Sequence, residues 1–96
     1  MKNKLPQKIS FSPDVIFEPL QDEALLFDMV TEDTFVLNEQ GMRMWQLLSE
    51  NGEPGAAVKQ MLTEYEVDEA ALRQDMAEWI AELVELRFAS VGANAS

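Results

Sequence analysis

The amino-acid sequence predicts a small α+β domain in which three short antiparallel strands are followed by three helices. Between Glu23 and Leu48, apolar residues first recur with the period of two that is typical of strands, and from Asn38 onward they recur with the period of a helix. Asn51-Gly52 and Pro54 then interrupt the helical pattern. The chain has 96 residues, which is the length of one domain.

The predicted strands occupy three β-prone runs, which are Val15 to Leu20, Glu23 to Val30 and Thr34 to Leu37. Polar turns at Gln21-Asp22 and at residues 31–33 separate these runs. Because both turns are short, neighbouring strands are expected to pair in an antiparallel manner.

Alternation along the strands predicts which side chains share a face. Leu25, Phe27 and Met29 are expected to line one face of the second strand, and Asp28 marks the opposite face as the wetter one. In the third strand, Phe35 and Leu37 are expected to share a face.

The first helix is predicted from about Glu39 to Glu50. Asn38 can serve as its N-cap, and Gly52 can adopt the left-handed conformation that often ends a helix. Pro54 suits the first turn of a second helix. The apolar face of that helix is formed by Val58, Met61, Leu62 and Tyr65.

The third helix has the clearest pattern. Asp68 can accept hydrogen bonds from its free amides. A broad apolar stripe follows, formed by Leu72, Met76, Trp79, Ile80, Leu83 and Leu86. Packing in the core is the favoured interpretation of Trp79.

The two ends of the chain are expected to be flexible. Residues 1–12 are polar and lack a sustained period, so they are predicted to be an arm, and the small polar residues 90–96 are predicted to be a tail. A single domain over residues 13–89 lies between them.

Composition argues against catalysis and against a metal site. The chain contains no His and no Cys, which excludes zinc sites, thiol catalysis and triads with an imidazole base. The acidic residues from Glu64 to Glu69 do not fit a calcium loop, because Glu69 stands where such a loop needs glycine. We therefore expect no enzyme activity, no bound metal and no cofactor.

The formal net charge of −11 bears on the choice of partner. Nucleic-acid binding depends on clustered cations, whereas the seven Lys and Arg residues of this chain are scattered, so no nucleic-acid partner is expected. The acidity favours solubility or attraction to a cationic partner. Because no apolar run is long enough to cross a bilayer, we expect no membrane association and a cytoplasmic location.

The run from Thr34 to Leu37 is a candidate binding site. A sheet built from consecutive hairpins ends in an exposed edge, and an extended peptide can add there as a further strand. Charged residues flank this run at Glu32-Asp33 and at Glu39. The sequence is equally compatible with an edge that is covered or is simply too short to bind a peptide.

The order of these elements resembles the PqqD family of small peptide chaperones, whose domain is also called the RiPP precursor peptide recognition element. The similarity covers about Pro13 to Ala89. One departure is Arg87-Phe88-Ala89, which stands where members often place glycine before a final apolar pair. The matching residues are Pro13-Asp14-Val15, Ala24 to Asp28, Leu37-Asn38, Gly41, Trp45, Leu48, Val58, Leu62, Tyr65, Asp75, Trp79-Ile80 and Leu83.

The resemblance implies a winged-helix-like fold that binds the leader segment of a ribosomally made precursor peptide. The leader is expected to lie as an added strand between the third strand and the third helix. A tailoring enzyme, such as a radical SAM protein in the pyrroloquinoline quinone case, would then modify the tethered peptide.

The sequence thus leads to the hypothesis of a non-catalytic peptide adaptor. The predicted contacts are Thr34, Phe35, Val36 and Leu37 for backbone pairing, and Arg73, Met76, Ala77, Ile80 and Val84 for the groove wall. One alternative is a winged-helix DNA-binding regulator, although the sequence lacks the basic patch that such a protein needs. Another is an interaction domain for a protein partner unrelated to peptide tailoring.

Overall fold

The computed structural model describes residues 4–92. The predicted three-stranded antiparallel sheet followed by three helices is confirmed, and two further strands lie at the ends of the described chain. The elements are β1 Ile9–Phe11, β2 Val15–Pro19, β3 Ala24–Asp28, β4 Thr34–Leu37, α1 Glu39–Asn51, α2 Pro54–Glu64, α3 Glu69–Glu85 and β5 Ala89–Val91.

The structure differs from the expected flexible arm and tail, because β1 and β5 pair with each other. Ile9 lies opposite Val91 in an antiparallel register. The Ser12 N–H donates to the Phe88 carbonyl at 2.9 Å and so extends the pairing beyond the strands. Three-residue strands are too short to show an alternating pattern in the sequence. The outermost parts of the predicted arm and tail, residues 1–3 and 93–96, lie outside the described residues.

Aromatic packing joins this two-stranded ribbon to the rest of the molecule. The centre of the Trp45 ring on α1 lies 4.2 Å from the centre of the Phe11 ring on β1 and 6.0 Å from that of the Phe17 ring on β2. Buried Ile9 also belongs to the hydrophobic core. The ribbon is therefore held by burial as well as by its few hydrogen bonds.

The core face of the three-stranded sheet is not the face that the sequence predicted. Ala24, Leu26 and Leu37 are fully buried, whereas Leu25 and Phe27 share the outer face and are only half-buried. Both sets of side chains are apolar, so their hydrophobicity alone did not distinguish the two faces.

Asp28 is buried on the core face, although it was expected to mark the wetter one. Its Oδ1 atom accepts hydrogen bonds from the Val30 N–H at 2.8 Å and the Thr31 N–H at 3.0 Å. The carboxylate thus organises the turn between β3 and β4, because it satisfies amides that the turn leaves without partners.

The start of α1 was predicted correctly. The Asn38 side chain accepts a hydrogen bond from the Gly41 N–H at 2.8 Å, which fixes the first turn immediately after β4. At the other end, Gly52 has a φ of 70° and donates its N–H to the Leu48 carbonyl. A side chain at Gly52 would meet the Ile9 carbonyl at 2.7 Å, so glycine is required there both for its conformation and for space.

Candidate functional site

Strand β4 forms one edge of the three-stranded sheet. The strand order is β2-β3-β4, and no other strand within residues 4–92 pairs with the far side of β4. An edge strand leaves a row of backbone donors and acceptors free for another chain.

The register shows which backbone groups of β4 point away from the sheet. Residues facing each other in an antiparallel pair alternate between those that exchange hydrogen bonds and those that do not. The Asp28 N–H donates to the Asp33 carbonyl at 3.0 Å, and this contact continues the register that pairs Leu26 with Phe35. The backbone of Phe35 therefore faces β3, while the N–H and carbonyl groups of Thr34 and Val36 point outward.

The pairing of β2 with β3 supports the same assignment. The Leu20 N–H donates to the Glu23 carbonyl at 2.8 Å, so Leu25 and Phe27 are the β3 residues that bond to β2. Their neighbours Ala24 and Leu26 are left to bond to β4. Two independent contacts thus place the Val36 amide on the open edge.

Side chains of β4 alternate between two environments. Thr34 and Val36 lie on the outer face, where Val36 is 57% exposed. Leu37 is fully buried, and half-buried Phe35 points to the core side. The Phe35 ring meets the Phe88 ring edge-on, with 6.4 Å between the ring centres. This contact places Phe88, the third residue after the end of α3, beside the edge strand.

The end of α3 directs Phe88 toward β4. The Arg87 N–H donates to the Val84 carbonyl at 3.0 Å and the Phe88 N–H donates to the Leu83 carbonyl at 2.8 Å, which together form a Schellman motif. Arg87 occupies the left-handed position of this motif, with a φ of 67°. Glycine is favoured at such a position, but this sequence has arginine there.

The residues predicted to form the groove wall on α3 lie in different environments in the structure. Met76 is fully buried in the core, so its side chain offers no surface to a ligand. Ala77, Ile80 and Val84 line a groove of about 480 Å³, but Val91 and residues 4–6 form its other side and no residue of β4 contributes. Ala77 and Ile80 are themselves almost completely buried.

Arg73, the remaining predicted wall residue, lies on a different surface. It is exposed, pairs with Glu69 at 3.9 Å, and borders residues 5–8 near the start of α2. The spacing of apolar residues predicted a stripe on α3 correctly, but it could not indicate which flank of that stripe faces the edge strand.

The opposite flank of α3 carries two apolar residues that the prediction left out of the site. At about 100° per residue, Trp79 lies about 140° around the helix from Val84, and Leu86 is on the same side as Trp79. Trp79 is half-buried and Leu86 is 37% exposed. Both residues belong to the predicted apolar stripe of α3, and spacing alone predicts that such a stripe packs in the core.

The electrostatics of the β4 edge are negative. Glu32, Asp33 and Glu39 are exposed at its two ends. Among residues 4–92, no Lys or Arg forms an ion pair with any of them.

The strongest ion pair of the described chain lies elsewhere and joins α1 to α2. The Arg43 guanidinium donates to both carboxylate oxygens of Glu64, with Nε to Oε1 at 2.8 Å. These hydrogen bonds, with a further one from Gln60, lower the pKa of Glu64 to about 2. This pair is structural, because it connects two helices and does not border β4.

The described residues offer a recognition surface. Within residues 4–92, no group of three or more acidic side chains is arranged to hold a metal ion, and none of the helices is long and apolar enough to cross a bilayer. What the site can provide is backbone hydrogen bonding along β4, with apolar side chains on either side of the strand.

Comparisons with known proteins concern the family and the overall fold. The family model described as coenzyme PQQ synthesis protein D, PqqD, matches residues 23–89. A search of curated proteins gives no match. Among solved structures, the chain is similar to TbiB1 in complex with the TbiA(beta) leader peptide. The TM-score is 0.80 at 27% identity, over 88% of this chain and 99% of the other.

Proposed function

The chain belongs to the PqqD family, and from this membership we propose that it is a non-catalytic adaptor for a ribosomally made precursor peptide. The adaptor binds the leader segment of the precursor by strand addition at β4. It then presents the rest of the precursor to a peptide-modifying enzyme.

The observation that carries this proposal is the open edge of β4. The backbone groups of Thr34 and Val36 point outward and can form the hydrogen bonds of an added strand. The similar structure of TbiB1 contains a leader peptide, and it resembles this chain over nearly the whole of TbiB1.

We propose that Phe35, Trp79 and Leu86 form the apolar wall beside the added strand. The Ala77 flank of α3 faces residues 4–6 and Val91, which leaves the flank with Trp79 and Leu86 for the peptide. Phe35 is half-buried and contacts Phe88 at the end of the helix, so it lies between the edge and α3. In this arrangement, Met76 and Ile80 support the helix from the core.

The adaptor acts by raising local concentration. A peptide tethered to a complex meets its enzyme at an effective concentration of about millimolar, even when its own affinity for the enzyme is weak. The chain therefore needs only a leader site and an enzyme-binding surface. It has neither His nor Cys to supply a general base or a thiol nucleophile.

The second partner in this proposal is the modifying enzyme. Because the family is described by its part in coenzyme PQQ synthesis, a radical SAM enzyme is the first class to test. We place the reaction in the cytoplasm, because the precursor is made there on ribosomes.

Replacing Val36 with proline tests the strand-addition site. Proline removes the outward amide while leaving the inward bonds of Phe35 in place, so an edge strand can tolerate it. We expect the affinity for a synthetic peptide with the leader sequence of its precursor to fall tenfold or more. Circular dichroism should remain unchanged. Val36→Ala is the matched control, since it keeps the amide and should lose far less affinity than Val36→Pro.

Amide chemical shifts provide a second measurement on the unmodified protein. Adding the leader should perturb residues 34–37 and α3. Perturbations restricted to α1 and α2, with β4 and α3 unaffected, would contradict the proposed site.

A further inference from the structure

The ends of the β4 edge carry acidic residues that make no ion pair with the described cations. Glu32 and Asp33 lie immediately before the strand, and Glu39 lies two residues after it. All three are exposed. A four-residue strand is about 13 Å long, so a peptide paired with β4 would extend at both ends toward these carboxylates.

Three of the described cations are paired with acids outside β4 and its flanks. Arg43 pairs with Glu64, Lys8 pairs with Glu53 at 3.7 Å, and Arg73 pairs with Glu69 at 3.9 Å. On α3, the helical positions beyond Trp79 are occupied by exposed acids, which are Asp75, Glu78 and Glu82. Arg87, which precedes Phe88, is exposed and forms no ion pair within residues 4–92, but the six acids around the open edge outnumber it and make the local charge negative.

The outer face of the sheet adds an apolar component. Val36 is 57% exposed, and its cross-strand neighbour Leu25 is half-buried on the same face. A strand added beside β4 would place every second side chain on this face, next to Val36. An apolar residue fits that position best, because it would cover Val36 from water.

We propose, on the basis of the proposed function, that the site selects a cationic strand. The bound segment carries Lys or Arg near the positions that approach Glu32, Asp33 and Glu39, with an apolar residue beside Val36. Its charges accelerate encounter with a protein of net charge −11 and fix the register of the added strand. An acidic segment of the same length would place like charges together at both ends.

A second copy of this chain is disfavoured as the occupant for the same reason. Pairing two β4 edges in an antiparallel manner would bring Glu32 and Asp33 of one copy close to Glu39 of the other. The acids thus block pairing between copies, and they attract a peptide of opposite charge. These two effects can be separated by experiment.

Selection from a random peptide library tests the preference directly. The probe is a display library of random 12-residue peptides, selected on the unmodified protein and depleted on the Val36→Pro variant, which has the same net charge. Depletion removes peptides that are attracted only by the overall charge. We expect the remaining peptides to be enriched in Lys and Arg near their ends, and to bind more weakly as salt is raised.

The outcomes distinguish this inference from the proposed function. Peptides that depend on the Val36 amide but are neutral or acidic would overturn the charge preference and leave strand addition intact. A library that yields no peptide dependent on that amide would overturn strand addition itself.

A pair of double variants locates the effect at the edge. Glu32→Gln with Asp33→Asn keeps the shapes of the side chains, and it should weaken the selected peptides about threefold to tenfold at low salt. Glu50→Gln with Glu66→Gln changes the net charge equally at residues outside β4 and its flanks, and should weaken them less than twofold. Equal losses in the two variants would contradict the assignment of the effect to the β4 ends.

Sedimentation analysis of the same variants tests whether the acids serve to prevent pairing between two copies of the chain. If the Glu32 and Asp33 variant forms dimers but keeps its full peptide affinity, the acids serve only to prevent pairing between copies. That result would overturn the proposed preference.

Discussion

The two faces of the three-stranded sheet both carry apolar residues, but these residues have different environments. On one face, Ala24, Leu26 and Leu37 are completely buried within the core. On the other, Leu25 is half-buried and Val36 is 57% exposed. An antiparallel sheet with one solvated face usually shows polar residues on that face.

This difference shows that burial is decided by what packs on the sheet. The core face and the helices share one hydrophobic cluster, and the end of α3 adds the contact between Phe88 and Phe35. The outer face retains apolar residues that contribute less to the stability of the free protein. Under the proposed function, a strand added at β4 would extend this face and cover its apolar residues.

The largest expected difference between the two faces is in the stability lost when neighbouring leucines on opposite faces are truncated. Leu26→Ala should cost about 3 to 4 kcal/mol, because it removes a fully buried side chain and leaves a cavity. Leu25→Ala is the matched control and should cost about 1 kcal/mol, because its side chain is already partly in water. Urea denaturation of both variants gives the two values. Equal costs would show that the faces are energetically alike.

A smaller effect is expected from the one polar residue that is buried on the core face. Asp28→Ala should cost about 1 to 3 kcal/mol, because the amides of Val30 and Thr31 lose their acceptor. Asp28→Asn retains an oxygen at that position and should lose less. A variant with alanine that is as stable as the original protein would show that the turn does not depend on this side chain.

Much of the fold could be predicted from the sequence. The change of period at Leu37-Asn38 located the boundary between sheet and helix, and the Asn38 cap confirms that boundary. The Asn51-Gly52 signal located the end of α1, because few residues other than glycine can occupy that conformation without strain. These are local features, and local physical chemistry is visible in the sequence.

The errors came from interactions between distant parts of the chain. The pairing of β1 with β5 joins residues about eighty positions apart, and no local pattern indicates it. The burial of Asp28 depends on hydrogen bonds in a turn, and hydropathy does not report these bonds. The groove beside Ala77, Ile80 and Val84 is completed by Lys4, Pro6 and Val91, so spacing along α3 could not show what lies next to that flank. Which side chains contact the peptide stays a prediction.

A smaller effect on stability is expected at Arg87, which precedes the core residue Phe88. Its left-handed φ of 67° turns the chain so that Phe88 reaches the core. Arg87→Gly should raise the free energy of unfolding by about 0.5 to 1 kcal/mol. Glycine removes the backbone strain of the left-handed position in the folded state, and this gain is larger than the loss caused by the added freedom of the unfolded chain. Arg87→Ala removes the same charge but keeps a Cβ atom, so it should give no such gain. A similar gain in both variants would assign the effect to charge instead.

The smallest effect should come from the outer face itself, at Val36. Threonine has nearly the shape of valine and the same preference for strands, and Val36 is mostly in water, so a hydroxyl in place of a methyl group loses little burial. Val36→Thr should therefore change the free energy of unfolding by less than about 0.5 kcal/mol. Peptide affinity should also decrease far less than in Val36→Pro, because threonine keeps the outward amide. A loss of stability similar to that of Leu26→Ala would mean that the outer face is covered in the free protein. In that case, the contrast between the two faces would no longer hold.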